Sequence, residues 1–176
     1  EPLARDDAAF DAAVGRLERL FRPSAPLALA AALCEAAPSQ AAAEVARGLK
    51  WTNKEVDLTA WLVRHHRDLD GADTKRWSVL QPLLAAEGGP ELVALRHAFG
   101  RDDAAQRLCA ERLAWPREQL DPPPLLVGAD LIAAGKKPGP GFGDLLQRAR
   151  AAQLDNEVTT KAEALRLLGL DHGDAI

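Results

Sequence analysis

A β-sheet would have to be assembled in this chain from almost no strand-forming residues. Tyrosine is absent, isoleucine stands only at Ile132 and Ile176 and valine is sparse, while about a fifth of the positions are Ala and about a sixth are Leu. Side chains that lose little freedom in a helix thus far outnumber the β-branched and aromatic ones that fit a pleated surface. The expectation is an all-α protein. A chain of 176 residues buries roughly two-thirds of its unfolded surface, so neither metals nor disulfides are required. Cys34 and Cys109 are in any case too few for a disulfide framework. No positive segment followed by an apolar one opens the chain, and a cytoplasmic setting is expected. No apolar run approaches the ~20 residues of a membrane span, so no membrane partner is expected. There is no Met, not even at position 1, and the chain is expected to be a piece of something longer.

Helix punctuation is nearly continuous. Asp6 or Asp7 is read as the cap of a segment whose apolar positions Phe10, Val14, Leu17 and Phe21 recur at helical spacing before Pro23. Ser24 and Pro26 start a helix over Leu27 to Ala37, and Ser39 caps the next, which runs to Gly48. Thr52 and Glu55 form a capping box ahead of Val56, Ala60, Leu62 and Val63, with the helix reaching Asp68. Thr74 to Ala86, Pro90 to Gly100 and a helix from Asp103 to about Trp115, capped by Asp102, complete some seven helices before residue 120. Asp121-Pro122-Pro123-Pro124 cannot continue a helix. A division is expected there, into a helical body over 1–120 and a small helical tail over 121–176. In the tail, helices are predicted over about Gly128 to Ala134, over Phe142 to Leu154 and after a second capping box, Thr160 with Glu163. The total is about nine to ten short helices.

The segment Gly135 to Gly143 carries the most chemistry. Lys136 and Lys137 open a loop with Gly139, Gly141 and Gly143, and an amphipathic helix with Leu145, Leu146, Arg148 and Arg150 comes directly after it. Glycine lets a ligand approach the backbone, while the free N–H groups and dipole of a helix start favour phosphate. This is the outline of a helix-loop-helix that grips a nucleic-acid backbone without reading bases. Between Gly128 and Gln153, Lys136, Lys137, Arg148 and Arg150 stand against Asp130 and Asp144, inside a chain of net charge -4. The same spacing also suits a plain Gly/Pro turn joining two packed helices, with solvated lysines.

Other constellations point to less. Arg64-His65-His66-Arg67 closes a helix, where cations complement the dipole or form a phosphate patch, but helix geometry spreads them around the axis. Adjacent histidines diverge by about 100° and no Cys or carboxylate stands at a familiar ligand spacing, so no metal is assigned. Asp68-Leu69-Asp70 has the carboxylate spacing of two-metal sites, yet those hold it on a strand. No Gly-x-Ser-x-Gly or Walker loop is present, and both cysteines sit on apolar helix faces, where burial leaves a thiol inert. No catalytic residue is assigned. Trp51, Trp61, Trp77 and Trp115 offer base stacking in principle and core anchoring more simply.

Taken together, these residues resemble a known family. Leu125-Leu-Val-Gly-Ala-Asp-Leu-Ile-Ala-Ala-Gly-Lys-Lys-Pro-Gly-Pro-Gly-Phe-Gly-Asp-Leu-Leu146, followed by Ala152-Gln-Leu-Asp-Asn-Glu-Val-Thr-Thr-Lys-Ala-Glu-Ala-Leu165, is similar to the C-terminal end of bacterial class II tRNA nucleotidyltransferases and their poly(A) polymerase relatives. Leu49-Lys-Trp-Thr-Asn-Lys-Glu-Val56 and Trp61-Leu-Val-Arg-His-His66 resemble the helical segment that precedes it in that family. The likeness spans roughly residues 27 to 168.

The resemblance implies a role in RNA binding. In the family a separate N-terminal head holds the nucleotidyl-transfer chemistry with Mg and ATP or CTP, and none of its motifs is present here. No cofactor is therefore expected in this chain, which is not itself expected to be catalytic. The chain is similar to the helical body and tail that bind tRNA or another RNA whose 3′ end receives CCA, A or poly(A). The expected contacts are Lys136, Lys137, Gly139, Gly141, Gly143 and Arg148, with Arg64 and Arg67 extending the track. Where some relatives have the Leu-Leu-His-Asp of a phosphohydrolase module, this chain has Ala32-Leu33-Cys34-Glu35, so that activity is not expected. A helical scaffold for a partner protein without RNA affinity, and a helix-hairpin-helix preferring duplex DNA, are the competing expectations.

Overall fold

The computed structural model describes residues 7–170 and is helical with no strand among them. In chain order the helices are α1 (Asp7–Glu18), α2 (Ala25–Leu33), α3 (Ser39–Gly48), α4 (Asn53–His65), α5 (Trp77–Leu84), α6 (Gly89–Ala98), α7 (Ala104–Leu113), α8 (Arg117–Leu120), α9 (Gly128–Ala133), α10 (Phe142–Leu154) and α11 (Lys161–Leu167). A 3-10 turn, Ala72–Thr74, precedes α5. No helix among the described residues is long and apolar enough to cross a membrane. The described residues divide into two compact units, one made of those up to 74 together with 83–115, the other of 75–82 with those from 116 onward. Most of α5 thus belongs to the second unit, and the three prolines after Asp121 lie inside that unit.

In the first unit α2, α3 and α4 pack on one another, α1 lies against α2 and α6, and α6 against α7. Alanine makes the close approach possible: Ala30, Ala31, Ala42 and Ala46 are fully buried, and Leu62, Leu69, Leu92 and Leu95 fill the space between backbones. Each such leucine contributes about 1.5–3 kcal/mol by leaving water. Ser24 caps α2 through Leu27 N (3.3 Å), and the Thr52/Glu55 capping box forms as its spacing predicts. Thr52 holds the Glu55 carboxyl below its usual range.

Several boundaries move. Ser39 is the first residue of α3 and makes no side-chain cap bond, because Pro38 takes the cap position. Gly48 does not turn the chain; Lys50 does, at φ +60°, with Lys50 N donating to Arg47 O and Trp51 N to Ala46 O. That closure places Trp51 against Ala46, the apolar contact that accompanies such a helix end. Asp103 rather than Asp102 caps α7, through Gln106 N at 2.9 Å. Helix α2 stops at Leu33, short of Ala37, and α4 at His65, short of Asp68; Thr74 closes the 3-10 turn rather than starting α5. The short helix α8, just after Pro116, has no counterpart among the helices expected from the sequence. Asp6 lies outside the described residues.

Helix α1 buries a charge. Phe10 and Phe21, two of the apolar positions that recur at helical spacing, are 68% and 88% exposed, and the buried residue of α1 is Arg16. The Arg16 guanidinium donates to Ala31 O (2.7 Å) and to Glu35 (3.4 Å) and lies 5.2 Å over the Phe99 ring. A carbonyl, a carboxylate and an aromatic face together satisfy a buried charge that periodicity alone assigns to solvent.

A second buried arginine ties α6 to α7. Arg96 donates to Asp103 Oδ2 (2.8 Å) and Gln106 Oε1 (3.2 Å). The Arg96 hydrogen bond and the Gln106 amide lower the Asp103 carboxyl from 3.8 to about 2. A depressed folded-state value contributes stability that is complete above 3.8 and lost as pH falls towards about 2. Asp103→Asn keeps a cap acceptor but removes the titrating group. Denaturant unfolding between pH 5 and pH 2 is expected to show a shallower acid loss for Asp103→Asn than for the parent, and parallel curves would show that this carboxylate is not coupled to folding.

In the second unit Leu126, Leu131, Ala149, Ala152, Val158, Ala164 and Leu170 form the core, with Phe142, Leu145 and Leu146 packed against it. The prolines 122–124 have no N–H to offer, so side chains hold this strap: Gln153 donates to Pro123 O (2.8 Å) and accepts from Leu125 N (3.0 Å). Ser78 binds Asp155 through its N–H and hydroxyl at 2.8 and 2.6 Å. Helix α10 has the bounds its sequence predicts, and the Thr160/Glu163 capping box opens α11.

Candidate nucleic-acid interface

The loop between α9 and α10 is fixed at both ends. Gly135, at φ +80°, closes α9: its N–H donates to Ile132 O and that of Lys136 to Leu131 O, each at 2.9 Å. Gly141, at φ +84°, stands at the cap of α10, where Leu145 N donates to its carbonyl at 3.1 Å. Both positions require a left-handed residue, which glycine supplies without strain. Beneath the loop, Leu131 and Phe142 anchor it to the core, and the Phe142 ring edge stands 3.4 Å from where a Gly128 Cβ would lie.

The outer surface of the loop is open. A Cβ at Gly139, Gly141 or Gly143 would meet no atom within 4 Å. Lys136, Lys137 and Arg148 are exposed and pair with no carboxylate among the described residues. Gly143 N and Asp144 N, in the first turn of α10, have no acceptor of their own among the described residues, as helix starts leave them. Asp144 sets an exposed carboxylate at the same helix start and opposes an anion there. Asp130 does not compete for the loop lysines: it caps Val127 N (2.9 Å) and pairs with Lys161, which hold its carboxyl below the usual range.

The free cations in this segment are fewer than its composition suggests. Arg150 donates to Asp121 (2.9 Å) and Gln153 (3.1 Å), so it belongs to the strap and not to the open surface. Among the described residues, Lys136, Lys137 and Arg148 remain as free cations around the glycine loop.

The earlier histidine-rich turn lies in the first unit and the loop in the second. Arg64 is exposed without a partner among the described residues, whereas Arg67 donates to Glu35 at 2.7 Å. His65 pairs with Asp68 (2.6 Å), and His66 contacts Val63 O (2.7 Å) and stacks on Phe99. Asp70 is paired with Arg101. The tryptophans are half-buried: Trp51 packs on the α3/α4 core and Trp115 lies under the Arg112 guanidinium at 3.8 Å. Cys34 and Cys109 are buried, and burial pushes the Cys34 thiol above its usual value. Among the described residues no three His, Cys, Asp or Glu side chains come together as a metal cluster.

Comparison with known proteins finds no protein family that matches the chain, no similar curated protein and no similar solved structure.

Proposed function

We propose that this chain is an RNA-binding helical region that grips a phosphate backbone at the α9–α10 loop, with tRNA as its RNA and a nucleotidyltransferase acting on RNA 3′ ends as the setting. One observation carries the reading: Lys136, Lys137 and Arg148 are exposed, and unpaired among the described residues, around a loop whose glycine surface is open. Unpaired cations beside accessible backbone amides suit a phosphodiester, and no exposed aromatic stands in the loop to read a base. The resemblance of the Pro-Gly-Pro to Thr-Thr stretch to tRNA nucleotidyltransferases supports tRNA over other polyanions. Arg64 is a further contact in this reading, and Arg67 a weaker one because Glu35 already holds it.

The test is tRNA affinity measured against salt. Removal of one phosphate contact makes the log-log slope shallower by about 0.7 on single strands to about 0.9 on duplex. Lys136→Ala combined with Lys137→Ala is expected to reduce the slope by about one or more, with the melting temperature unchanged because both side chains are exposed. An unchanged slope would remove the loop from the interface. An absence of RNA affinity even at low salt would favour a scaffold that binds protein.

A further inference from the structure

The first unit leaves an apolar edge without a partner among the described residues. Phe10 is 68% exposed and Phe21, in the turn after α1, 88% exposed. Val14 and Leu17, which stand between them in the sequence, are half-buried. At about 100° per residue, Phe10, Val14 and Leu17 lie within about 60° of one another on α1. Asp7, Asp11 and Glu18 all fall on one side of that row, within about 100° of Phe10, while Arg16 on the other side is buried against α2. The three carboxylates are exposed and have no partner among the described residues. Two arginines follow α1: Arg19 donates to Gly15 O and Ala98 O, and the Arg22 guanidinium lies over the Phe21 ring at 5.4 Å. An apolar row with a one-sided acidic border is the complement of an apolar row with a basic border.

We propose that this edge of α1 is a docking surface for an amphipathic helix of a partner protein whose apolar row is bordered by lysine or arginine. A second copy of this chain fits poorly. A twofold axis that sets α1 antiparallel to its own copy places acidic border against acidic border, and a parallel arrangement sets that border against the side already packed on α2. Burial of the two phenylalanines supplies affinity, and the carboxylates supply orientation and choice of partner. This surface is separate from the glycine loop, and its test does not depend on RNA binding.

The experiment titrates the chain with synthetic helical peptides of about five turns that carry a leucine row bordered either by lysine or by glutamate, at about physiological ionic strength. The lysine-bordered peptide is expected to bind at least about tenfold more tightly than the glutamate-bordered one. Phe10→Ser with Phe21→Ser is expected to weaken it at least about tenfold with unchanged thermal unfolding, since both rings are exposed. Asp7→Lys with Asp11→Lys is expected to reverse the preference between the peptides. Equal binding of both peptides, no binding of either, or binding indifferent to the phenylalanine variant would overturn the proposal. So would a concentration-dependent dimer that the phenylalanine variant abolishes, which would make the occupant a second copy.

Discussion

Arg96→Ala is expected to destabilise the first unit by about 2–5 kcal/mol, the range found when a large buried side chain is truncated and leaves a cavity. Arg96 is 1% exposed, and its guanidinium joins three segments: Asp103 and Gln106 at the start of α7, its own helix α6, and Asp70 in the turn after α4, whose Oδ1 stands 3.8 Å from Nε. Asp70 is in turn paired with Arg101. The cluster is incompletely satisfied, because Arg96 Nε is buried without a hydrogen-bond partner. That orphan decides between two accounts of the loss. If filling volume dominates, Arg96→Met, which fills most of the space and leaves no buried donor, recovers more than half of it. If the ion pairs dominate, Arg96→Met is as unstable as Arg96→Ala. Since the acceptors Asp103 and Asp70 keep access to water after the substitution, with side chains 53% and 38% exposed, the volume account is expected. Urea unfolding of the three proteins makes the comparison, and a cost below about 1 kcal/mol for Arg96→Ala would show that this cluster does not hold α6 to α7.

Local chemistry decides what is legible in the sequence. Both capping boxes and the bounds of α10 depend on residues close to one another in the chain, and all appear where spacing places them. The loop glycines and lysines are legible for the same reason. Features that depend on distant partners are not. Lys50 and Asn156 take left-handed positions, at φ +60° and +58°, that composition would give to glycine, because the chain beyond each must turn back onto a core. Arg16 and Arg96 are buried because a carbonyl, carboxylates and an amide far along the chain receive them, and no periodic pattern encodes those acceptors. The same blindness inflates the candidate site. Arg67 counts as a free cation until Glu35, 32 positions away, is seen to hold it. On α1, periodicity finds an apolar row without saying what covers it: Val14 and Leu17 are half-buried, while Phe10 and Phe21 are exposed among the described residues.

Gly89→Ala is expected to cost about 3 kcal/mol or more, at the upper end of what overpacking does. A Cβ there would stand 2.3 Å from Leu84 O and 2.9 Å from Leu84 C, which are backbone atoms with no rotamer to escape into, so the turn joining α5 to α6 must open. The glycines of the candidate interface predict the opposite sign. A methyl at Gly139 or Gly143 meets nothing within 4 Å, and neither residue has positive φ. Alanine there removes backbone freedom from the unfolded chain at no cost to the folded one, a gain of about 0.4–1 kcal/mol at each site. Folding thus demands glycine at 89 and is indifferent to it at 139 and 143. In the RNA-binding reading, backbone approach by a phosphate is what those two positions supply, and added methyl groups are expected to weaken tRNA binding while the protein becomes slightly more stable. Thermal unfolding and tRNA affinity measured on the same two variants separate the readings: higher stability with lower affinity places the ligand against the loop backbone, and higher stability with unchanged affinity leaves a turn that only joins two helices.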